Sequence, residues 1–151
     1  FEPISFTIPN LVDGATVRVR EGAYRGNGLN ASVGSVRSSR RITADDYGRE
    51  VTKIGRTTGI ERGRITAVEV DGLPVAFGRG TGRFNDQFEV SGGPRSDFSQ
   101  GGDSGSLVLT LDGVALGLLF AGGEDSTGED FTYCNYITNV LDAVGKDLAY
   151  G

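Results

Sequence analysis

Histidine does not occur in this sequence, nor do methionine and tryptophan, and cysteine occurs once. The lone Cys134 has no partner for an intrachain disulfide, so covalent cross-links do not hold the fold. Its expected place is the core, as a small apolar residue. A catalytic thiol needs a base beside it to become a thiolate, and no imidazole is available. The usual Cys and His ligands of a zinc centre are missing as well. The acidic pairs Asp45/Asp46 and Glu129/Asp130 read as solvated loop residues rather than calcium ligands. No metal and no cofactor are expected. No stretch of about 18 apolar residues occurs, so no membrane partner is expected. The opening Phe1-Glu2-Pro3-Ile4 has neither the basic flank nor the apolar run of a signal peptide. It also lacks a starting Met, which fits a processed or truncated chain whose targeting signal lay upstream. Secreted and cytoplasmic locations both stay open.

What is present describes a globular domain. Hydrophobic residues make up 37% of the 151 and charged residues 23%, enough for a core without the charge excess of a disordered chain. The net charge of −5 argues against a nucleic-acid partner, which needs clustered Lys and Arg. The one basic cluster, Arg37 to Arg41, reads as a solvated loop. The 25 glycines follow no period and sit between short apolar runs, the pattern of many tight turns between strands.

Period-two alternation predicts a strand over Thr16–Arg20, a weaker one over Ala31–Val36, and others over Val51–Arg56, Arg64–Val70, Leu73–Phe77 and Phe84–Val90. Ser38–Arg49 and Gly78–Gly82 read as loops. Asp71-Gly72 and Asp112-Gly113 each stand between two apolar runs and predict hairpins. The second would join Leu107–Leu111 to Val114–Ala121, which is apolar enough to be buried on both faces. Phe131–Tyr136 is a last strand. Val140, Leu141, Val144 and Leu148 then recur at helical spacing, with Thr138 as N-cap. Short strands closed by one terminal helix suit an all-β barrel.

The segment Gly101-Gly102-Asp103-Ser104-Gly105-Ser106 carries the sharpest chemistry. A serine hydroxyl attacks only when a neighbour takes its proton, and its oxyanion needs backbone N–H groups aimed at it. Glycines on both sides permit the backbone dihedrals that turn amides inward. Alone, this pattern also fits a glycine-rich surface turn.

Gly102-Asp103-Ser104-Gly105 resembles the nucleophile motif of the chymotrypsin-like serine proteases. Lys53-Ile54-Gly55-Arg56-Thr57-Thr58-Gly59 is similar to the segment that opens the second barrel in bacterial members, the streptogrisins and alpha-lytic protease. The two matches occur in the family's order, and the resemblance runs from Val51 to the C-terminus. It implies a double β-barrel fold: residues 1–48 as the remainder of a first barrel and the connection, and 49–151 as a complete second barrel with a C-terminal helix. It implies a serine endopeptidase acting on a peptide or protein. Ser104 is then the nucleophile, the amides of Gly102 and Ser104 form the oxyanion hole, and Asp103 is a buried structural acid paired with Lys53, with Arg56 as the other candidate cation. Asp13, in Asn10-Leu11-Val12-Asp13-Gly14-Ala15, matches the segment of the triad aspartate, although a turn aspartate reads nearly as well; Asp45 and Asp46 are alternatives. Phe98, six residues before the nucleophile, corresponds to the base of the specificity pocket, with Asp97 beside it. Phe120, Ala121 and Gly122 correspond to the strand that pairs with substrate.

The chain departs from the family in one decisive respect: the triad's imidazole is missing. The simplest account places the histidine on an N-terminal segment or a second chain, so that these 151 residues alone are close to inactive. Other readings are a pseudoprotease that binds peptides or serves as a scaffold, and a Ser–Lys dyad using Lys53 or Lys146, the latter expected in the terminal helix.

Overall fold

The computed structural model describes residues 3–20, 22, 34–94 and 96–148. Nine strands and one helix follow in order: β1 (Ser38–Ser39), β2 (Glu50–Gly55), β3 (Gly59–Val70), β4 (Leu73–Phe77), β5 (Gly80–Phe84), β6 (Gln87–Ser91), β7 (Leu107–Thr110), β8 (Val114–Glu124), β9 (Asp130–Tyr136) and α1 (Ile137–Val144). The sheet runs β8-β7-β2-β3-β6-β9, and β9 pairs again with β8. That pairing closes a six-stranded antiparallel barrel. β1 adds to β8 in parallel, and β4 and β5 form a separate two-stranded ribbon.

Alternation along the strands points one face inward. Val51, Ile65, Phe88, Val90, Val108, Leu116, Cys134 and Tyr136 are fully buried in the barrel core. Burial pushes the Cys134 thiol well above its usual pKa, so it stays protonated as a small apolar filler. A second cluster under α1 joins Leu109, Ala115, Ile137 and Val140. α1 ends on Gly145 in the left-handed conformation (φ 59°), the usual helix stop.

Several local expectations are corrected. Thr16–Arg20 forms no strand; Val17 and Val19 are exposed, and no neighbouring strand pairs with the segment among the described residues. Of Ala31–Val36, residues 31–33 lie outside the described residues, and 34–36 are irregular. The stretch 38–49 holds β1 and a 3-10 turn (Ala44–Asp46) in which Asp46 is buried. Asp46 accepts a forked pair of bonds from Arg40, 2.7 Å each, and another from Arg49; these hold its carboxyl far below the ordinary range. Arg41 binds Asp86 and lies over the Tyr136 ring, 4.1 Å from its centre. Arg40 and Arg41 are thus tied to carboxylates, while Arg37 stays exposed as expected. Asp71-Gly72 does not close a β3–β4 hairpin: β3 ends at Val70 paired with β6, and β4 pairs with β5 instead. Gly80–Phe84, read as partly loop, is that partner strand. Asp112-Gly113 does join β7 to β8. The helix starts at Ile137 with Tyr136 as N-cap, so Thr138 lies inside it and its hydroxyl is buried without a partner. Lys146 falls beyond the helix end.

Tyr136 also supports an unusual backbone. Glu69 adopts a positive φ of 54°, and its amide donates to the Tyr136 hydroxyl at 3.0 Å. Tyr136→Phe removes that acceptor from a part-buried bond and should cost about 0.5–1.5 kcal/mol, read from chemical denaturation. A change within the error of such curves would show that the Glu69 amide finds another acceptor.

Candidate active site

The corner at 101–106 follows from two glycines. Gly102 and Gly105 take φ of 102° and 90°, values that residues with a Cβ rarely adopt. Gly102 also lacks room, since a Cβ there would sit 2.6 Å from Thr57 Oγ1 and 2.8 Å from Arg56 Nη2. Bonds on both sides pin the corner. The Asp103 amide donates to Gln100 O, the Gly105 amide to Leu119 O at 2.8 Å, and the Ser106 amide and hydroxyl to Asp103 O. Ser104 stands exposed between these anchors. The Gly102 and Ser104 amides donate to no acceptor among the described residues.

Beneath the corner lies a closed ionic cage. Lys53 Nζ is 3.0 Å from Asp103 Oδ2, and both side chains are 0% exposed. The same ammonium reaches the Thr58 hydroxyl and Gly59 O. Asp103 Oδ1 accepts the Thr57 amide at 2.7 Å, and Oδ2 accepts the Thr58 hydroxyl at 2.8 Å and the Gln100 amide at 3.1 Å. Burial pushes the Asp103 pKa up, but these donors outweigh it and hold the carboxyl well below its usual range. Gly55 lets the two charges meet, because a Cβ there would collide with both the Asp103 carboxylate and Lys53 Nζ. Arg56 takes no part in the pair and flanks Gly102 instead. The Thr57-Thr58 cradle was visible as a motif, but its role as the carboxylate's donor set was not.

Asp13 is half-buried. Its amide is fixed by Asn135 Oδ1 at 3.0 Å. Asn135 in turn donates to Gln87 Oε1 at 2.6 Å, and Gln87 donates to Leu11 O at 2.9 Å. These two fully buried amides clamp the Leu11–Asp13 strap onto the barrel; nothing in the local sequence signals them. The Asp13 carboxylate has no hydrogen-bond or ionic partner among the described residues, and burial raises its pKa. It does not touch Ser104. Asp45 is exposed, and Asp46 is committed to Arg40 and Arg49.

Ser104 opens onto a cleft of about 490 Å³ lined also by Leu119, Phe120, Ala121 and Gly122. Past Leu119, β8 keeps β9 on one side and has no strand on its other side among the described residues. Phe98 does not line this cleft. It is fully buried in the barrel core, packed against Gly63, and the chain's alternation turns its neighbours Asp97 and Ser99 toward the cleft instead. Counting back from the nucleophile locates the segment but not which face each residue presents.

No protein-family model matches the chain, and no curated protein matches it. Solved structures do. A chymotrypsin from Cellulomonas bogoriensis superposes with a TM-score of 0.63 at 22% identity, over 87% of this chain and 67% of that one. A glutamic acid-specific serine protease that binds substrate through a histidine triad gives 0.63 at 25% identity, over 85% and 63%. Protease A of Thermobifida fusca gives 0.57 at 25% identity, over 78% and 55%. The chain has the fold of the bacterial chymotrypsin-like serine proteases. Within that chymotrypsin-like fold it spans between about half and two-thirds of the length of these neighbours. The six barrel strands all lie between Glu50 and Tyr136.

Proposed function

We propose that the chain is the nucleophile-bearing part of a serine endopeptidase whose imidazole comes from polypeptide outside these 151 residues. On this reading residues 1–48 belong to a first barrel and 49–151 form the second. The observation that carries it is the exposed Ser104 at the mouth of a cleft, with its own amide and that of Gly102 free of acceptors among the described residues.

A substrate peptide extends along Phe120–Gly122 and adds its backbone to the open side of β8. Ser104 Oγ attacks the scissile carbonyl carbon while the supplied imidazole takes the hydroxyl proton. The carbonyl π pair moves onto oxygen, and the two amides receive the oxyanion. The oxyanion collapses, the C–N bond breaks, and the imidazolium gives its proton to the leaving amine. Water then repeats the sequence on the acyl-enzyme and regenerates the hydroxyl. Asp13 orients the imidazole and stabilises its charged form. Its carboxylate is unpaired and its backbone is clamped, as such a role requires. The glutamate preference of the one neighbour rests on histidines, and this chain has none to carry it.

Fluorophosphonate labelling tests the reading. Joined to its histidine-bearing segment, the chain should label at Ser104 about 10²–10⁴-fold faster than alone, the usual contribution of a positioned base. Ser104→Ala should abolish labelling. A complete protein that stays unreactive would make the chain a peptide-binding module on a protease scaffold. Labelling of the isolated chain that is lost in Lys53→Ala and indifferent to the added segment would favour a lysine base.

A further inference from the structure

Asp-Gly pairs occur three times in the sequence, at Asp13-Gly14, Asp71-Gly72 and Asp112-Gly113. A glycine after aspartate leaves its own amide nitrogen uncrowded, since no Cβ stands beside it, and that nitrogen can approach the carboxyl. Two of the pairs are tied at both ends. The Gly72 amide donates to Asn85 Oδ1 at 2.8 Å, and Asp71 Oδ1 accepts the Asp86 amide at 2.8 Å. The Gly113 amide donates to Thr110 O at 3.0 Å, and the Thr110 hydroxyl holds the Asp112 carboxyl below its usual pKa, as an unreactive anion. Asp13-Gly14 differs at each point. Neither the Asp13 carboxyl nor the Gly14 amide has a hydrogen-bond partner among the described residues. The pair lies half-buried in an irregular stretch, so water still reaches it. Burial raises the Asp13 pKa, which favours the neutral acid, the form that gives up its hydroxyl. The bond to Asn135 holds only the amide that precedes the pair.

We infer that Asp13-Gly14 is a self-modification site, where the chain closes a succinimide ring and reopens it as isoaspartate. The Gly14 nitrogen bonds to Asp13 Cγ, and its proton and the carboxyl hydroxyl leave together as one water. Water then adds back to the five-membered ring. Opening at Cγ restores aspartate. Opening at the main-chain carbonyl leaves isoaspartate: the backbone runs through Cβ and Cγ, one methylene longer, and the carboxylate stands directly on Cα. The modification needs no catalysis at Ser104. Its consequence rests on the protease reading: a displaced Asp13 carboxylate no longer orients the imidazole, so the enzyme switches itself off with age.

Peptide mapping of the 151-residue chain after warm incubation in mildly acidic buffer is the test. The tryptic peptide ending at Arg18 should lose one water, then regain it as an isomer that elutes separately and is methylated by an isoaspartate methyltransferase. Asn27-Gly28 falls in another tryptic peptide. Conversion at Asp13 should run at least about tenfold ahead of Asp71 and Asp112, whose hydrogen bonds must open first. In concentrated urea the three pairs should react alike. Gly14→Ala should slow conversion about tenfold or more, because a Cβ crowds the attacking nitrogen. The fold accepts that change, since the added Cβ would meet Val12 at 3.6 Å and Leu118 at 3.9 Å, ordinary contacts, at a φ outside the left-handed region. Conversion at Asp13 no faster than at the other two pairs, or unchanged in Gly14→Ala, would overturn the inference and leave the protease reading standing. In the histidine-complemented protein, activity should decline in step with isoaspartate and persist in Gly14→Ala. Conversion without that decline would keep the modification site and remove Asp13 from the triad.

Discussion

Asp13→Asn should lower the kcat of the histidine-complemented protein by about 10⁴-fold, with little change in KM or in stability. The size follows from tautomer control. A carboxylate accepts from one imidazole nitrogen and leaves the other free to take the serine proton; a carboxamide can donate instead and fix the wrong tautomer. Stability should hold because the Asp13 carboxylate bonds to nothing among the described residues, while its amide, the group that Asn135 fixes, is kept by the substitution. Steady-state hydrolysis beside a thermal melt separates the two effects. A loss of less than tenfold would make Asp13 a turn residue. A large loss accompanied by a lower melting temperature would make it a structural one.

Lys53→Met should destabilise the fold by about 3–5 kcal/mol at neutral pH, the cost of stranding one charge of a buried pair. Met keeps most of the side-chain volume, so a cavity adds little. The penalty has a definite pH course. The native Asp103 carboxyl sits well below its usual pKa, so its contribution in the parent is full above about pH 4 and fades as pH falls through the lowered native value. In Lys53→Met the stranded carboxylate protonates more readily. The gap between the two proteins should therefore narrow in acid, as urea curves at neutral and acidic pH would reveal. Labelling at Ser104 should fall further than stability does, because Asp103 anchors the corner through the Thr57, Thr58 and Gln100 donors. A penalty below about 1 kcal/mol, at the level of an exposed pair, would mean that water reaches the pair.

These two residues mark how far the sequence could be read. The corner around Ser104 was legible because its chemistry demands glycine at fixed offsets, and the Lys53 segment because it pairs with that corner in a fixed order. β4, β7 and β8 were legible from alternation and from the Asp112-Gly113 turn. Other elements depend on partners that one strand does not announce. Gly80–Phe84 looks like a loop on its own glycines and becomes a strand only against Leu73–Phe77. Thr16–Arg20 alternates as a strand should, yet stays irregular without a neighbour. Long-range polar contacts were hidden for the same reason: the bond by which Asn135 fixes the Asp13 amide spans 122 positions.

The strap before residue 20 carries a consequence for handling the molecule. Val17 and Val19 are 85% and 54% exposed, Ile8 and Leu11 earlier in the chain are 67% and 54% exposed, and no strand pairs with residues 16–20 among the described residues. A bare hydrophobic edge accepts a like edge as readily as its intended neighbour. Concentrated solutions of the chain should turn cloudy on storage, and any strand that paired along that edge would keep them clear.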